Sequence, residues 1–215
     1  MITSQQRKEQ TEAYLKEIGV PFIDHLPVIE NEQEARFKTA QDVAKRLLIL
    51  TYLNYVSEVE EDKNSIVKFF VSNELWDDVS ECEKKLLTKT EPFEEQEKIN
   101  ISWQSEGIKE MLWCLGKIDV LELPSTQTEI PEILDHLPQF FEPTQDFINS
   151  AALRSKTEIL NQCDLIYRIH WAVQNDIENV NSKLKIHPNI VRERHCAINW
   201  VRRSEQNWDD ITLDV

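Results

Sequence analysis

The chain has 215 residues, of which 40% are hydrophobic and 29% charged, a composition typical of a globular protein and too apolar for a disordered one. Only three glycines occur, which disfavours glycine-rich nucleotide loops and turn-rich β folds. The net charge of −15 disfavours nucleic-acid binding, because a phosphate-binding surface needs clustered basic residues.

The charge is distributed unevenly along what we expect to be one helical domain over residues 1–215. Residues 1–150 contain 15 lysines and arginines against 30 acidic residues, whereas residues 151–215 contain nine of each. This acidic N-terminal part is either a solvated face or a surface for a basic protein partner. We find no secretion signal and no apolar run long enough for a membrane span, so we expect a cytoplasmic protein.

Helix signals dominate the first half of the chain, where apolar periodicity predicts helices over residues 4–18, 32–57 and 64–76. Gly19 ends the first helix, and a proline-bearing loop follows it. Ser80 and Glu83 have the spacing of a capping box, which predicts that a short helix begins there. The acidic stretch KTEPFEEQEKIN is interpreted as a connection.

The second half continues the helical pattern, with helices predicted over 103–115, 130–136, after Pro143, over 155–176, and from Pro188 to Arg203. The stretch IDVLELP, residues 118–124, favours a short extended segment. The predicted fold class is therefore all-α, a single compact domain of roughly eight to ten helices with little or no sheet.

Four ionisable residues project from the apolar faces of four predicted helices when each residue is placed at about 100° per step. They are Arg36, Glu106, His170 and Arg194. Because isolated charges are costly inside a core, we expect these side chains to meet as a buried cluster. Arg168, one turn after Asp164, instead lies on a narrow polar strip and is predicted to form an exposed ion pair with it.

The expected cluster has three interpretations. It is a paired network that fixes helix packing, or it lines a pocket that binds a small anion through Arg36 and Arg194, or Glu106 or His170 acts as an acid or base. A cysteine nucleophile paired with histidine (Cys163 and His170) and a zinc site (Cys163, His170 and Cys196) are weaker alternatives that lack a recognisable motif. We therefore expect neither a metal nor a cofactor.

The C-terminal stretch NWDDITLDV supplies further polar candidates. Trp208 is expected to anchor this tail, while Asp209, Asp210 and Asp214 offer carboxylates to arginines such as Arg154 or Arg194. The four cysteines form no CxxC pair, so we interpret them as reduced thiols. His195 is interpreted as solvated.

The stretches SWQSEGIKEMLWCLG, AALRSKTEIL, DLIYRIHWAV, VRERHCAINWV and NWDDITLDV occur in this order and spacing. Together they resemble the bacterial family called domain of unknown function 4272, and the resemblance covers most of the chain. The chain departs from the family pattern at Gly107, where the family tends to have alanine, and at Asp214 and Val215. The resemblance implies a helical cytoplasmic protein and supplies no catalytic residues.

Two functions from different classes follow from these observations. The first is a non-enzymatic protein-binding module that presents its acidic surface to a basic partner, as an immunity or antitoxin protein does. The second is a small-anion-binding protein or enzyme that uses the cluster of Arg36, Glu106, His170 and Arg194. A binding module should have this cluster filled and paired, whereas a ligand-binding protein should have a cavity beside it.

Overall fold

The computed structural model describes residues 2–176 and 184–213, and this part of the chain is all-α, as the sequence predicts. An isolated bridge joins the backbones of Arg36 and Arg203. The described residues form ten α-helices: α1 Ser4–Glu17, α2 Ala40–Glu58, α3 Lys63–Ser72, α4 Glu81–Thr88, α5 Glu95–Trp103, α6 Ser105–Cys114, α7 Ile130–Leu134, α8 Gln145–Asn149, α9 Lys156–Asp176 and α10 Pro188–Arg202.

The central element is α2, whose side chains from Val43 to Val56 are buried on almost every side. A helix that is apolar around its whole circumference must be covered by other elements. Here α3, α5, α6 and α8 pack against it. The interior of the protein is therefore organised around one buried helix.

The C-terminal helices form the other half of the core, where α10 packs most extensively against α6 and α9. Gly107 of α6 faces Ala197 of α10, and a Cβ atom added at Gly107 would lie 3.5 Å from the Ala197 Cβ. The N-terminal helix α1 packs on α9. These contacts place Glu106 of α6, Arg168 of α9 and Arg194 of α10 inside the core.

The predicted start of the second helix at Glu32 is wrong, because α2 begins at Ala40. The Thr39 side chain accepts a hydrogen bond from the backbone N–H of Asp42, and the Asp42 carboxylate accepts one from the N–H of Thr39. This capping box satisfies the free donors of the first turn and fixes the helix start. Arg36 therefore lies in the loop that precedes α2.

Two other features differ from the prediction: the end of the third helix and the acidic connection. The third helix ends at Ser72, two residues before Glu74 takes a positive φ of 56°. The acidic connection contains α5, which begins where Glu94 and Glu97 form a capping box. Residues 118–124, the candidate extended segment, lie in the loop between α6 and α7 and pair with no other strand among the described residues. The remaining predicted helices are present with small shifts at their ends.

Candidate functional site

Glu106 and Arg194 form a buried ion pair between α6 and α10. The Arg194 Nε donates to Glu106 Oε2 at 3.0 Å, and neither side chain is more than 2% exposed. The other carboxylate oxygen accepts from the backbone N–H of Thr128, while an Arg194 terminal nitrogen donates to the carbonyl of Glu122 at 2.7 Å. The pair is thus completed by backbone groups of the loop between α6 and α7.

Arg36 does not belong to this group, and its predicted place on the apolar stripe of α2 is wrong. Its side chain is exposed and donates to the carbonyl of Gln33 at 3.0 Å. The cause is the capping box at Thr39, which keeps the chain extended up to the helix start. Glu106 therefore has one arginine partner, Arg194, and not the two that the sequence suggested.

His170 is buried as expected, but its partner is His195 rather than Glu106 or Arg194. The two Nδ1 atoms lie 2.8 Å apart, and the rings meet edge to face. His195 is only 2% exposed, so the interpretation of this residue as solvated is wrong. Burial lowers the pKa of His170 to about 4 and the pKa of His195 well below its usual value, so both rings are neutral near pH 7.

Asp164 and Arg168 form the predicted ion pair, but the expectation that it is exposed is wrong. Both side chains have no solvent exposure, and the guanidinium contacts the carboxylate through two hydrogen bonds of 3.0 and 2.9 Å. The carbonyl of Pro27 and the carboxylate of Glu12 accept from the same guanidinium. The polar strip of α9 is therefore covered by the N-terminal part of the chain.

The two tail carboxylates that the structure describes, Asp209 and Asp210, do not bind Arg154 or Arg194. Asp209 accepts from the backbone N–H of Cys82 at 3.0 Å, and Asp210 accepts from the Asn207 amide. Arg154 instead donates to the carbonyls of Trp113 and Ile118. Asp214 lies outside the described residues.

Glu110, a fully buried carboxyl group one turn after Glu106, is not among the predicted site residues, although its helical spacing from Glu106 could have indicated it. Burial raises the pKa of Glu110 to about 7, although Arg194 opposes this shift. One oxygen is 3.4 Å from the Gln162 amide, and the other has no hydrogen-bond partner among the described residues. The cavity beside Arg194 has a volume of about 50 Å³, which is room for a water molecule rather than a metabolite.

The cysteine and metal alternatives receive no support from the geometry. Burial raises the pKa of the Cys163 thiol, which disfavours the thiolate that a nucleophile requires. The four cysteines are free thiols. Among the residues that the structure describes, no group of three or more histidine, cysteine or acidic side chains is arranged to hold a metal ion.

A larger cavity of about 670 Å³ lies where α2, α4 and the C-terminal tail meet. We call it the Trp200–Trp208 groove, after the two indole rings in its wall, which meet edge to face at 5.7 Å. Its lining comes from four separate segments of the chain: Phe37, Lys38, Thr39, Asp42 and Arg46; Asp77, Asp78, Val79, Ser80, Glu81 and Lys84; Trp200; and Ser204, Gln206, Asn207, Trp208, Asp209 and Asp210.

Two cations on the inner side of the groove are held by the protein itself. Lys38 donates to the carbonyls of Ser204 and Gln206, each at 2.7 Å, and burial lowers the pKa of its amine. Arg46 binds both carboxylate oxygens of Glu83, at 2.8 and 2.7 Å. The first contact joins the tail to the segment that precedes α2, and the second joins α2 to α4. Neither cation is left as an open anion site.

The indole rings complete the inner wall. The Arg46 guanidinium carbon lies 5.1 Å from the centroid of Trp208 and 5.8 Å from that of Trp200, and Lys38 Nζ lies 4.9 Å from Trp200. Cations at such distances are attracted to the ring faces. Trp208 thus anchors the tail, which is the role that the sequence suggested for it.

The outer part of the groove is acidic. Its lining contains six carboxylates against three cations, and Asp77, Glu81, Asp209 and Asp210 are exposed. Three of these carboxylates also have local partners: Glu81 contacts Lys84 at 3.2 Å, Asp209 accepts from the N–H of Cys82, and Asp210 accepts from the Asn207 amide. A molecule that enters the groove therefore meets negative charge first and aromatic surface behind it.

These features define an all-α protein with a paired buried charge network and an acidic, tryptophan-lined groove. The family model for domain of unknown function 4272 (DUF4272) matches residues 7–211, so the chain belongs to this family. Comparisons with curated proteins and with solved structures find no match. Within the described ranges, no helix combines the length and apolar character needed to cross a membrane.

Proposed function

We propose that the protein is a binding module whose Trp200–Trp208 groove receives a basic segment of a partner protein. The observation that carries this proposal is the arrangement of charge in the groove: the inner cations are paired by the protein, and the exposed rim is acidic. A concave wall of low dielectric concentrates the field of such carboxylates. A lysine- or arginine-rich segment has the complementary charge.

The acidic character of the whole N-terminal part also supports a basic partner. The excess of acidic residues lies within residues 1–150, which supply most of the groove lining. Long-range attraction of this kind raises the association rate for a basic partner and weakens as salt screens it. The binding is therefore expected to be strongest at low ionic strength.

The buried cluster does not support the competing function. Glu106 and Arg194 satisfy each other and two backbone groups, Arg36 is elsewhere, and the adjoining cavity of about 50 Å³ is too small for a metabolite. These contacts favour a structural role for the pair.

The proposal can be tested with a capped tetra-arginine peptide as the probe and a capped tetra-glutamate peptide as its charge control. Calorimetry at low salt measures binding to the wild type, to a groove variant with Asp77→Asn and Asp210→Asn, and to a control variant with Glu17→Gln and Glu95→Gln. Both variants lose two exposed negative charges, but only the first loses them from the groove.

We expect the groove variant to bind tetra-arginine about tenfold more weakly than the wild type, since each exposed carboxylate contributes about 0.5–1 kcal/mol. The control variant should bind almost as the wild type does. Equal weakening in both variants would show that only the overall charge attracts the peptide. That result, or the absence of binding to the wild type, would contradict the proposal.

A further inference from the structure

Another cavity, of about 190 Å³, lies between α6, α7 and the loop that joins them, and shares no lining residue with the Trp200–Trp208 groove. We call it the Thr128 cavity. Its floor is apolar, since Leu112 of α6 and Ile133 of α7 are each 1% exposed, and the exposed side chain of Val120 borders it. The volume exceeds what one water molecule requires and is below that of sites for drug-sized ligands, so it suits a small organic molecule.

The Thr128 side chain lies in the wall of this cavity and is 5% exposed. Its hydroxyl oxygen is buried and has no hydrogen-bond partner among the residues that the structure describes. Buried polar groups almost always have a partner, because one without a partner loses its contact with water and gains nothing in return. The hydroxyl therefore has a hydrogen-bonding capacity that a ligand in the cavity can use.

The buried pair of Glu106 and Arg194 fixes the loop that carries this wall. Glu106 accepts a hydrogen bond from the backbone N–H of Thr128, and Arg194 donates to the carbonyl of Glu122 at 2.7 Å. The loop is thus held at two of the residues that line the cavity. A wall that is fixed before binding loses little conformational freedom when a ligand enters.

The rim of the cavity has an excess of negative charge. Lys109 Nζ lies 3.2 Å from Glu122 Oε2 and 3.9 Å from Glu132 Oε2, so one lysine is shared by two carboxylates. Lys109 is thereby paired and, like Lys38 and Arg46 in the groove, is not an open anion site. The two glutamate side chains are 70% and 64% exposed. A carboxylate offers about four acceptor sites, so the contact with Lys109 leaves most of them open to a ligand.

These groups favour a small cation with an apolar body. A primary ammonium group has three N–H donors and no acceptor, which suits two carboxylates and a hydroxyl oxygen. An alkyl chain attached to it gains from contact with the apolar floor. A carboxylate or phosphate would instead meet two negative charges beside a lysine that is already paired. The exposed imidazole of His136 completes the polar lining.

We propose that the Thr128 cavity binds a small primary amine. Glu122 and Glu132 are the charge partners of its ammonium group, the Thr128 hydroxyl is a further acceptor, and the apolar floor holds its alkyl chain. The site is independent of the proposed groove function, since the two cavities have no residue in common.

Three probes with the same four-carbon chain test the class of ligand: butylammonium, butan-1-ol and butyrate, which are a cation, a neutral alcohol and an anion. A carbon–proton NMR titration of the wild type at pH 8 and constant ionic strength follows the methyl signals of Leu112, Thr128 and Ile133. An alkylamine keeps its proton at this pH. We expect butylammonium to shift these signals saturably and to bind at least tenfold more tightly than the other two probes. Equal binding of the three, or no saturable shift with butylammonium, would overturn the proposal.

A pair of double variants tests the two glutamates of the rim. Glu122→Gln with Glu132→Gln removes both carboxylates from the cavity. Glu129→Gln with Asp135→Asn is the matched control, because it removes two exposed carboxylates of the same segment that are absent from the lining. The first variant should bind butylammonium at least tenfold more weakly than the wild type, and the control should remain within twofold. Equal weakening in both would mean that overall charge alone attracts the amine, which contradicts the proposal.

The variant Thr128→Val separates binding from folding, because valine has nearly the same shape and lacks the hydroxyl. Since the hydroxyl has no partner among the described residues, the variant should unfold at or above the wild-type temperature. It should bind butylammonium at least threefold more weakly. A clear drop in the unfolding temperature would show that the protein itself uses the hydroxyl, and unchanged amine binding would show that the ligand does not. Either result would refute the proposed site.

Discussion

Glu106 of α6 and Arg194 of α10 are 3.0 Å apart and inaccessible to solvent, so the packing of these two helices includes a buried ion pair. Such a pair adds little net stability relative to apolar residues of similar size, but the loss of one partner leaves a buried charge uncompensated. The backbone contacts to Thr128 and Glu122 also connect the pair to the following loop. The pair therefore specifies how α6, α10 and this loop fit together.

Substitution Arg194→Met should lower the free energy of unfolding by about 3–5 kcal/mol, because it leaves the Glu106 carboxylate buried without its partner. Urea unfolding measures the change. Arg192→Met, at an exposed position of the same helix, should change stability by less than about 0.5 kcal/mol. The double variant Glu106→Gln, Arg194→Met should recover part of the loss. If Arg194→Met unfolds at the wild-type midpoint, the buried-pair interpretation is wrong.

Substitution Arg168→Met should be similarly destabilising, by about 3 kcal/mol, because Asp164 and Arg168 both have no solvent exposure. An exposed pair at this spacing would contribute only about 0.3–0.5 kcal/mol. Thermal and urea unfolding therefore distinguish a buried Asp164–Arg168 pair from an exposed one. A loss below about 0.5 kcal/mol would mean that the N-terminal segment does not cover this pair in solution.

The contrast between these two ion pairs shows what the sequence can and cannot predict. The helices were predictable because caps, prolines and periodicity act within a few residues of one another. The burial of Arg168 was not, because the carbonyl of Pro27 and the carboxylate of Glu12 that cover it are far away in the chain. Helix periodicity places a residue on a face, but other elements decide whether that face meets water.

The wrong placement of Arg36 has a different origin, because the sequence contains a local signal for the start of α2. Thr39 and Asp42 have the spacing of a capping box, which predicts a helix that begins after Thr39. Arg36 lies outside such a helix, whereas the apolar stripe alone places it inside. The Trp200–Trp208 groove could not be found in this way. Its wall combines four segments that only the tertiary structure brings together.

The stability of the protein should fall as the pH rises from about 4.5 to about 7 because of Glu110. Its pKa is raised to about 7 in the folded protein from a usual value of 4.5, so the folded state holds a proton that the unfolded state has released between these values. The unfolding free energy should therefore decrease between pH 4.5 and 7, by about 3 kcal/mol from this group.

The Glu110→Gln variant isolates this contribution, since the amide cannot ionise. Urea unfolding at pH 5 and at pH 8 should show a smaller decrease in the variant than in the wild type. At pH 8 the variant should be at least as stable as the wild type. Identical pH dependence in the two proteins would show that Glu110 is ionised throughout or reaches solvent.

The His170–His195 pair should lower the stability of the protein as the pH falls, which is the opposite of the effect of Glu110. The pKa of His170 is lowered to about 4 from 6.5 by burial, with Arg192 adding to the shift, so protonation favours the unfolded state. Stability should therefore decrease as the pH falls from 6.5 towards 4, by about 2 kcal/mol from His170. His195, whose pKa is also lowered by burial, adds to this decrease. His170→Gln should reduce this decrease. Nitrogen NMR shifts showing either imidazole charged at pH 6 in the folded protein would contradict the expectation.

Gly107→Ala should stabilise the protein by about 0.5–1 kcal/mol, because alanine favours the helical backbone and restricts the unfolded chain. The added Cβ would lie 3.5 Å from the Ala197 Cβ and 3.7 Å from the Glu193 carbonyl oxygen, which are ordinary contact distances. Gly116→Ala provides the matched control: its Cβ would meet nothing within 4 Å, but its φ of +64° is unfavourable for alanine. That variant should lose about 1 kcal/mol. Thermal unfolding measures both, and a lower melting temperature for Gly107→Ala would show that α6 and α10 approach too closely for a methyl group.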